Sequence, residues 1–391
     1  MSNYNIVDAK FINFFKTVYG KRGDATYNMS YPLLSRIKKS DNFIGKDFVG
    51  SVQLGRSGSV SAGYLPDVNV ANVGKLILSR KKTYASYVVD RETLVAGVAD
   101  QGSFEDTQKF IIKSTIDSYT RNVMRIICGN GTLGTVGSLS SVGATHTLVI
   151  STATWKEANW EEGDFVNVAS STDRFLVDSV VPSTRTVVIT NQTGTYVPLV
   201  SDIVYMQKSK DKEPTGLETV LGATSGVLYG IDVQRRWQSY AKAAGGAAIS
   251  EALLSEAILE MQKATGEAPT AIYMSYVQMN KYLSILAKPQ YELVRNKSGE
   301  YTAQYSALSI LTPVSAKPIP IFAERFVKDA EIFLLNEPRI EMRRAPKHGW
   351  FTEDGLFSRV QGLDEYEARY GGYWELYAQP SYQGRITGLA V

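Results

Sequence analysis

Between Gly45 and Val89 the chain presents two strand-like runs, Phe48 to Leu54 and Leu76 to Val89, separated by a Gly, Ser and Asn-rich stretch reaching Gly74. Turn residues between two β-favouring runs predict a long hairpin. The second run, KLILSRKKTYASYVVD, mixes Arg80, Lys81 and Lys82 with Tyr84 and Tyr87 and has no one-sided apolar face. Most of it is therefore expected to lie outside its own core. A lone two-stranded ribbon is marginal in water, so a hairpin of this length has to rest on another domain or on a partner subunit. The ribbon argues for assembly.

Before the hairpin, Phe11, Phe14, Phe15 and Val18 recur at helical spacing inside an otherwise polar arm. After it, Phe104, Ile112, Ile116, Tyr119, Val123 and Ile127 fall at intervals of three and four, with Glu105, Lys109, Lys113 and Arg121 between them. That spacing predicts a long amphipathic helix over Ser103 to Cys128. Ser103 is the expected N-cap, with Glu105 and Asp106 in the first turn, and Gly129 the expected left-handed terminator.

Short β-branched runs then follow at close intervals: Thr147 to Ser151, Asp164 to Val168, Arg174 to Val181, Arg185 to Thr190 and Asp202 to Met206. They predict a small all-β domain, closed by the polar joint KSKDKEPTG from Lys208 to Gly216. GDFVNV and SDIVYM within it read as two corresponding strands. Beyond the joint, Ser250 caps a helix with an apolar stripe of Leu253, Leu254, Ala257, Ile258 and Met261, ended by Gly266. A strand at Ala271 to Met274 leads into a capping box, Ser275 to Gln278, that opens a second helix through Leu286. Strands are expected again at Ile319 to Phe322, Glu331 to Leu335, Tyr373 to Tyr377 and Arg385 to Ala390, which makes the terminal half α+β.

Charge excludes a dedicated nucleic-acid reader: 42 Lys and Arg against 39 Asp and Glu leave a net +3 over 391 residues. Short basic runs remain at Lys38-Lys39, Arg80-Lys81-Lys82, Arg235-Arg236 and Arg343-Arg344, each able to meet phosphate or an acidic neighbour, and otherwise a solvated face. The one cysteine, Cys128, excludes an intrachain disulfide framework and a Cys-based zinc site and fits a reducing cytoplasm. At a helix C-terminus its thiol is expected to have a raised pKa and to pack in the core. The N-terminus MSNYNIVDAKFINFFKTVYG lacks the pattern of a secretory signal, and no stretch approaches the length of a membrane span.

Catalytic signatures fail on context. Gly129-Asn130-Gly131-Thr132-Leu133-Gly134 has the spacing of a dinucleotide-binding loop but follows a helix instead of a strand. No phosphate-cradling Gly-Lys-Ser/Thr loop is present. His146 and His348 stand far apart in sequence, without acidic metal-ligand spacing, and read as surface or joint residues. The carboxylate pairs Glu161-Glu162 and Asp364-Glu365 read as solvated turns. We therefore expect no catalytic, cofactor or metal site. Twenty-three tyrosines against two histidines suit surfaces that are partly apolar and partly wet, as subunit interfaces are.

The order of these elements resembles the major capsid proteins of tailed bacteriophages with the HK97-type fold, shared with herpesvirus capsid floors and encapsulins. The resemblance spans most of the chain. It assigns 1–44 to an N-terminal arm, 45–100 to an extended hairpin loop, 101–143 to the spine helix of a peripheral domain, 144–207 to an inserted β domain, and 208–391 to the axial domain and the rest of the peripheral domain. VLGATSGVLYGIDVQRRWQSY, Val220 to Tyr240, looks like the start of the axial domain, and YWELYAQPSYQGRITGLAV like its closing strands. The resemblance implies a structural, non-enzymatic protomer, made in the host bacterial cytoplasm, that tiles pentamers and hexamers of an icosahedral virion shell around double-stranded DNA. It implies scaffolding, portal and packaging partners, non-specific contact with DNA, and no membrane. The start at Met1 fits a subunit without N-terminal removal. Some relatives cross-link a lysine to an asparagine; Lys75, Lys81 and Lys82 lie in the hairpin, with no partner asparagine assigned. Two alternatives stand beside this reading: an encapsulin-like compartment enclosing an enzyme, and a surface-binding protein using the β domain.

Overall fold

The computed structural model describes residues 31–55, 73–90, 101–286, 293–295, 301–303, 309–310, 317–346, 348–351, 358–360, 362 and 364–391. The amphipathic stretch around Phe11 to Val18 and the Gly-rich tip of the hairpin lie outside them. The architecture is mixed α and β.

The body is organised by the 14-residue strand Glu365–Ala378. On one side it pairs antiparallel with Ile340–Arg344, which in turn pairs parallel with Lys38–Ser40. On the other it pairs along Lys81–Asp90, from Glu365 opposite Asp90 to Trp374 opposite Lys81. The long helix Gln101–Ile127 packs beneath this sheet, with Ile112, Ile116, Tyr119, Val123 and Ile127 buried in the shared core. Ser103 is thus the third helical residue and not the cap. Gly129 is not left-handed either. The helix leaves through a tight turn in which the Gly129 N–H donates to Ile126 O (3.1 Å), and the left-handed glycine is Gly131 (φ 84°).

One expectation about the hairpin needs correction. Asp47–Gln53 pairs antiparallel with Val73–Ser79, as expected, but the strand breaks at Arg80, and Lys81–Asp90 belongs to the main sheet. The hairpin base rests on another part of its own chain, one of the two supports expected: Phe48, Leu76 and Leu78 face inward, and the Ile77 N–H donates to Tyr229 O (2.8 Å). Lys81–Asp90 turns Thr83, Ala85 and Tyr87 inward, and the hydroxyl of the buried Thr83 meets Tyr119 Oη (2.9 Å) and accepts from Trp374 Nε1 (2.7 Å). A polar residue satisfied by partners distant in sequence leaves no apolar alternation to read. Residues 31–44 likewise do not form a free arm, because Leu33, Leu34, Ile37 and Phe43 enter the core and Arg36 clasps Glu337 at 2.5 and 2.7 Å.

The second sheet runs Tyr240–Ala243, Gly384–Thr387, Ile332–Leu335, Ala271–Met274, Ile319–Ala323, Ser309–Ile310. Its central strands are buried on both faces. Ala271, Tyr273, Phe333 and Leu335 point into the body core, whereas Ile272, Met274, Ile332 and Leu334 meet Leu254, Ala257, Ile258 and Met261 of the helix Glu251–Thr265. That helix is capped by Ser250 Oγ, which accepts from the Leu253 N–H, and ends at left-handed Gly266. Only half of the second capping box forms: Ser275 Oγ accepts from the Gln278 N–H, but the Gln278 amide donates to Asp329 O and Ala390 O.

The β runs form a closed six-stranded barrel in the order Ile203–Met206, Gly134–Val142, Thr145–Ile150, Thr186–Asn191, Phe175–Val181, Phe165–Val168. Its first strand is Gly134–Val142, ten residues before the expected boundary at 144. Glycines and serines make that strand read as a joint. The strands of GDFVNV and SDIVYM are direct neighbours, with Val204 opposite Val168.

Candidate functional site

The Gly129 to Gly134 segment passes from the helix end into the first barrel strand, and Asn130 Oδ1 accepts from the Thr132 N–H and hydroxyl (3.2 and 2.9 Å). This is a side-chain-stabilised turn and not a strand-to-helix phosphate loop. Both histidines correct the expectation of surface or joint positions. His146 is buried inside the barrel against Phe175, with Nδ1 3.0 Å from Ser141 Oγ, and burial lowers its pKa. His348 stands beside Tyr119 and Tyr370 (ring centroids 5.7 and 6.4 Å), and burial pushes its pKa down to about 4. Their inward position comes from tertiary packing that no local pattern encodes. Cys128 is fully buried, and burial, reinforced by the Glu324 charge, raises its thiol pKa well above the usual value. Of the carboxylate pairs, Glu161 binds Arg121 at 2.7 Å and Asp364 reaches Arg359 at 4.0 Å.

Among the described residues no group of three or more His, Cys, Asp or Glu stands where it could hold a metal ion, and no helix is long and apolar enough to cross a membrane. What the fold does build is a charged junction and a basic cleft.

The junction ties the barrel to the body. Lys156 Nζ, on the barrel side, donates to Cys128 O at the end of the long helix (2.9 Å) and pairs with Glu218 (2.9 Å). Lys328 binds the other oxygen of Glu218. An ammonium at a helix C-terminus complements the macrodipole. Burial alone would raise the Glu218 carboxyl; the two lysines outweigh it and hold it below the usual carboxylate range. Arg125 pairs with Glu213 at 2.5 Å beside this junction. Nothing local in the sequence marks Lys156, Glu218 or Lys328, which are 62 or more residues apart.

The basic cleft, of 520 Å³, opens where Lys81–Asp90, the long helix and the chain leaving the barrel converge. Arg80, Lys81, Lys82, Lys208 and Lys212 line it, together with the paired Arg125 and Glu213. The sequence singled out the run at Arg80 but treated Lys208 to Gly216 as a joint, so the second wall was missed. At its rim Tyr84 packs against Phe351 (5.6 Å) and Tyr373 (6.3 Å), while Arg80 and Lys82 lie over the Tyr373 ring at 5.2 and 5.7 Å. Burial and the hydroxyl of Tyr373 push the Tyr84 pKa up to about 12, so its phenol stays neutral. The other basic runs divide: Lys38 pairs with Glu341 (3.6 Å), Arg343 with Glu341 (2.9 Å) and Arg344 with Asp41 (2.7 Å), while Arg235 and Arg236 are exposed.

No family model and no curated protein sequence matches the chain. Solved structures do. A chain of the cyanophage A-1(L) capsid asymmetric unit is 11% identical, with a TM-score of 0.55, over 92% of this chain and 93% of that one. A chain from the capsid of the native GTA particle is 11% identical with a TM-score of 0.46 (91% and 90% covered), and one from the satellite phage P4 procapsid is 10% identical with a TM-score of 0.44 (100% and 98%). Nearly end to end, the path traced by this chain is therefore the fold of a cyanophage capsid subunit.

Proposed function

We propose that this chain is the major capsid protein of a tailed phage or prophage, a structural subunit with no catalytic role. The observation that carries the reading is the shared fold over 92% of the chain with a cyanophage capsid subunit. In this reading Gln101–Ile127 is the spine helix, the Asp47–Ser79 hairpin the base of the extended loop, the two-faced sheet with its helices the axial domain, and the barrel an inserted domain. Copies assemble as pentamers and hexamers into an icosahedral virion shell around double-stranded DNA, with scaffolding and portal proteins as partners, after synthesis in the host cytoplasm. The exposed face of the hairpin supports this. Val49 and Ile77 sit opposite each other there, and Val73 lies on the same face. Such apolar residues on an otherwise finished strand pair suit burial against a second subunit.

Electron microscopy and size-exclusion chromatography of the full chain, expressed alone and with its genomic neighbours, test the proposal. Closed shells, or rings of five and six, are expected. A strictly monomeric protein under every condition overturns it, and shells that enclose protein in place of DNA assign the chain to an encapsulin-like compartment.

A further inference from the structure

The basic cleft has an imbalance that the fold does not need. Arg125 and Glu213 neutralise each other at 2.5 Å, but Arg80, Lys81, Lys82, Lys208 and Lys212 have no carboxylate within ion-pair distance among the described residues. Several half-buried and buried cations elsewhere are paired, as at Glu218, Glu337 and Asp41, whereas here five stand around one concavity. Like charges crowded around one concavity repel one another and leave a positive field that attracts a polyanion. Their placement is also held. Lys208 and Asp211 adopt left-handed backbone (φ 59° at each), a conformation unfavourable for residues with side chains. The turn is fastened by the Lys208 N–H donating to Asn167 Oδ1 (2.8 Å) and by Lys81 Nζ donating to Asp211 O (3.3 Å).

We propose that this cleft binds the phosphate backbone of nucleic acid; this rests on the capsid reading, within which it locates a contact between shell and genome. The rim decides between nucleic acid and an acidic protein segment. The cleft edge carries Tyr84, which is exposed, in a cluster with Phe351 and Tyr373, and Arg80 and Lys82 lie over the Tyr373 ring. Carboxylates would use only the cations. Nucleotides use the cations for phosphate and the flat rings for bases or sugars. The contact proposed is to phosphate, which the cations make without reading sequence.

The test uses the full-length protein and fluorescence anisotropy with labelled single-stranded and duplex DNA across a salt series. Arg80→Gln, Lys82→Gln and Lys208→Gln combined are expected to weaken binding at least tenfold and to flatten the salt slope by about two to three, since each released contact removes about 0.9 from it. The exposed pair Arg235→Gln and Arg236→Gln, which removes two positive charges against three, is expected to leave both nearly unchanged. Tyr84→Leu is expected to weaken single-stranded binding several-fold with the slope retained. Equal affinity for the triple variant and the parent overturns the inference. So does polyglutamate competing as well as DNA with no effect of Tyr84→Leu, which assigns the cleft to an acidic segment of a protein. Electron microscopy of the triple variant separates the two readings: shells with unaltered DNA binding sink the cleft alone, whereas failure of the parent to form shells sinks the capsid reading itself.

Discussion

Glu375 illustrates how single buried groups tie this fold to pH. It is 2% exposed, and its carboxylate accepts from the Thr215 N–H at 2.6 Å. Burial nevertheless pushes its pKa up to about 7, against the pull of Thr215 and Lys81. The folded state therefore binds this proton more tightly than the unfolded chain does. The resulting stability is present below the unfolded pKa near 4.5 and is lost as pH rises through 7. Glu324, also raised to about 7 by burial, acts in the same direction. His348, held down to about 4, acts oppositely, adding stability as pH rises from 4 to 6.5. Glu375→Gln keeps an oxygen for Thr215 and removes the titration. Urea unfolding at pH 5 and pH 8 is expected to show the variant gaining about 2–3 kcal/mol on the parent between the two; an identical offset at both values would refute the assignment. Glu218 gives the converse case. Glu218→Ala leaves the buried Lys156 without its anion and Lys328 with only Glu331 at 3.8 Å, and equilibrium unfolding at pH 7 should register a loss of about 3–5 kcal/mol.

At the scale of elements, the two linkers of the barrel cross at glycines. A Cβ on Gly216 would sit 2.1 Å from Gly129 O and 2.3 Å from Ile126 O, and one on Gly129 would sit 2.6 Å from Arg125 O. All of these are backbone atoms, which cannot rotate away. Gly216→Ala is therefore expected to cost about 1–3 kcal/mol or more by overpacking. Gly222→Ala, at the end of the helix Leu217–Gly222 with only the Arg385 guanidinium at 3.5 Å, should be neutral or stabilise by up to about 1 kcal/mol. Thermal melts of the two variants check the contrast. The same contrast explains what was legible in the sequence. The helix Gln101–Ile127 and five of the six barrel strands declare themselves because a 3.6 or 2.0 period is local, whereas the Gly- and Ser-rich Gly134–Val142 does not. Lys81–Asp90 was legible as a strand but not as a member of the main sheet, because its buried residue is Thr83, satisfied by Tyr119 and Trp374. Half of the cleft was legible as the run Arg80-Lys81-Lys82; Lys208 and Lys212, more than 120 residues away, were indistinguishable from a solvated joint until the barrel brought them back.

For the molecule as a whole, the barrel is the natural unit of separation. Its first and last strands are neighbours, with Val204 opposite Gly134 and the Leu133 N–H donating to Val204 O at 2.8 Å, so the chain enters and leaves at one place. Closure removes free edges, and Leu148, Val166, Phe175, Val187, Ile189 and Val204 fill an interior distinct from the body core. A fragment spanning 131–208 is therefore expected to fold alone, giving a β-type circular dichroism spectrum and one cooperative melt. The body depends on the barrel more than the barrel depends on the body. Excising 134–206 removes Ala158 from the body core, Glu161 from Arg121 and Lys156 from both Cys128 O and Glu218. A short Gly-Ser bridge across the gap should thus give a body that folds with a lower urea midpoint. Adding Glu218→Gln to that deletion should cost less than the same change in the intact chain, because Lys156 has gone and Lys328 keeps Glu331 at 3.8 Å. Equal costs in the two backgrounds would mean that Lys156 and Glu218 are not coupled, and that the barrel rides on the body without bracing it.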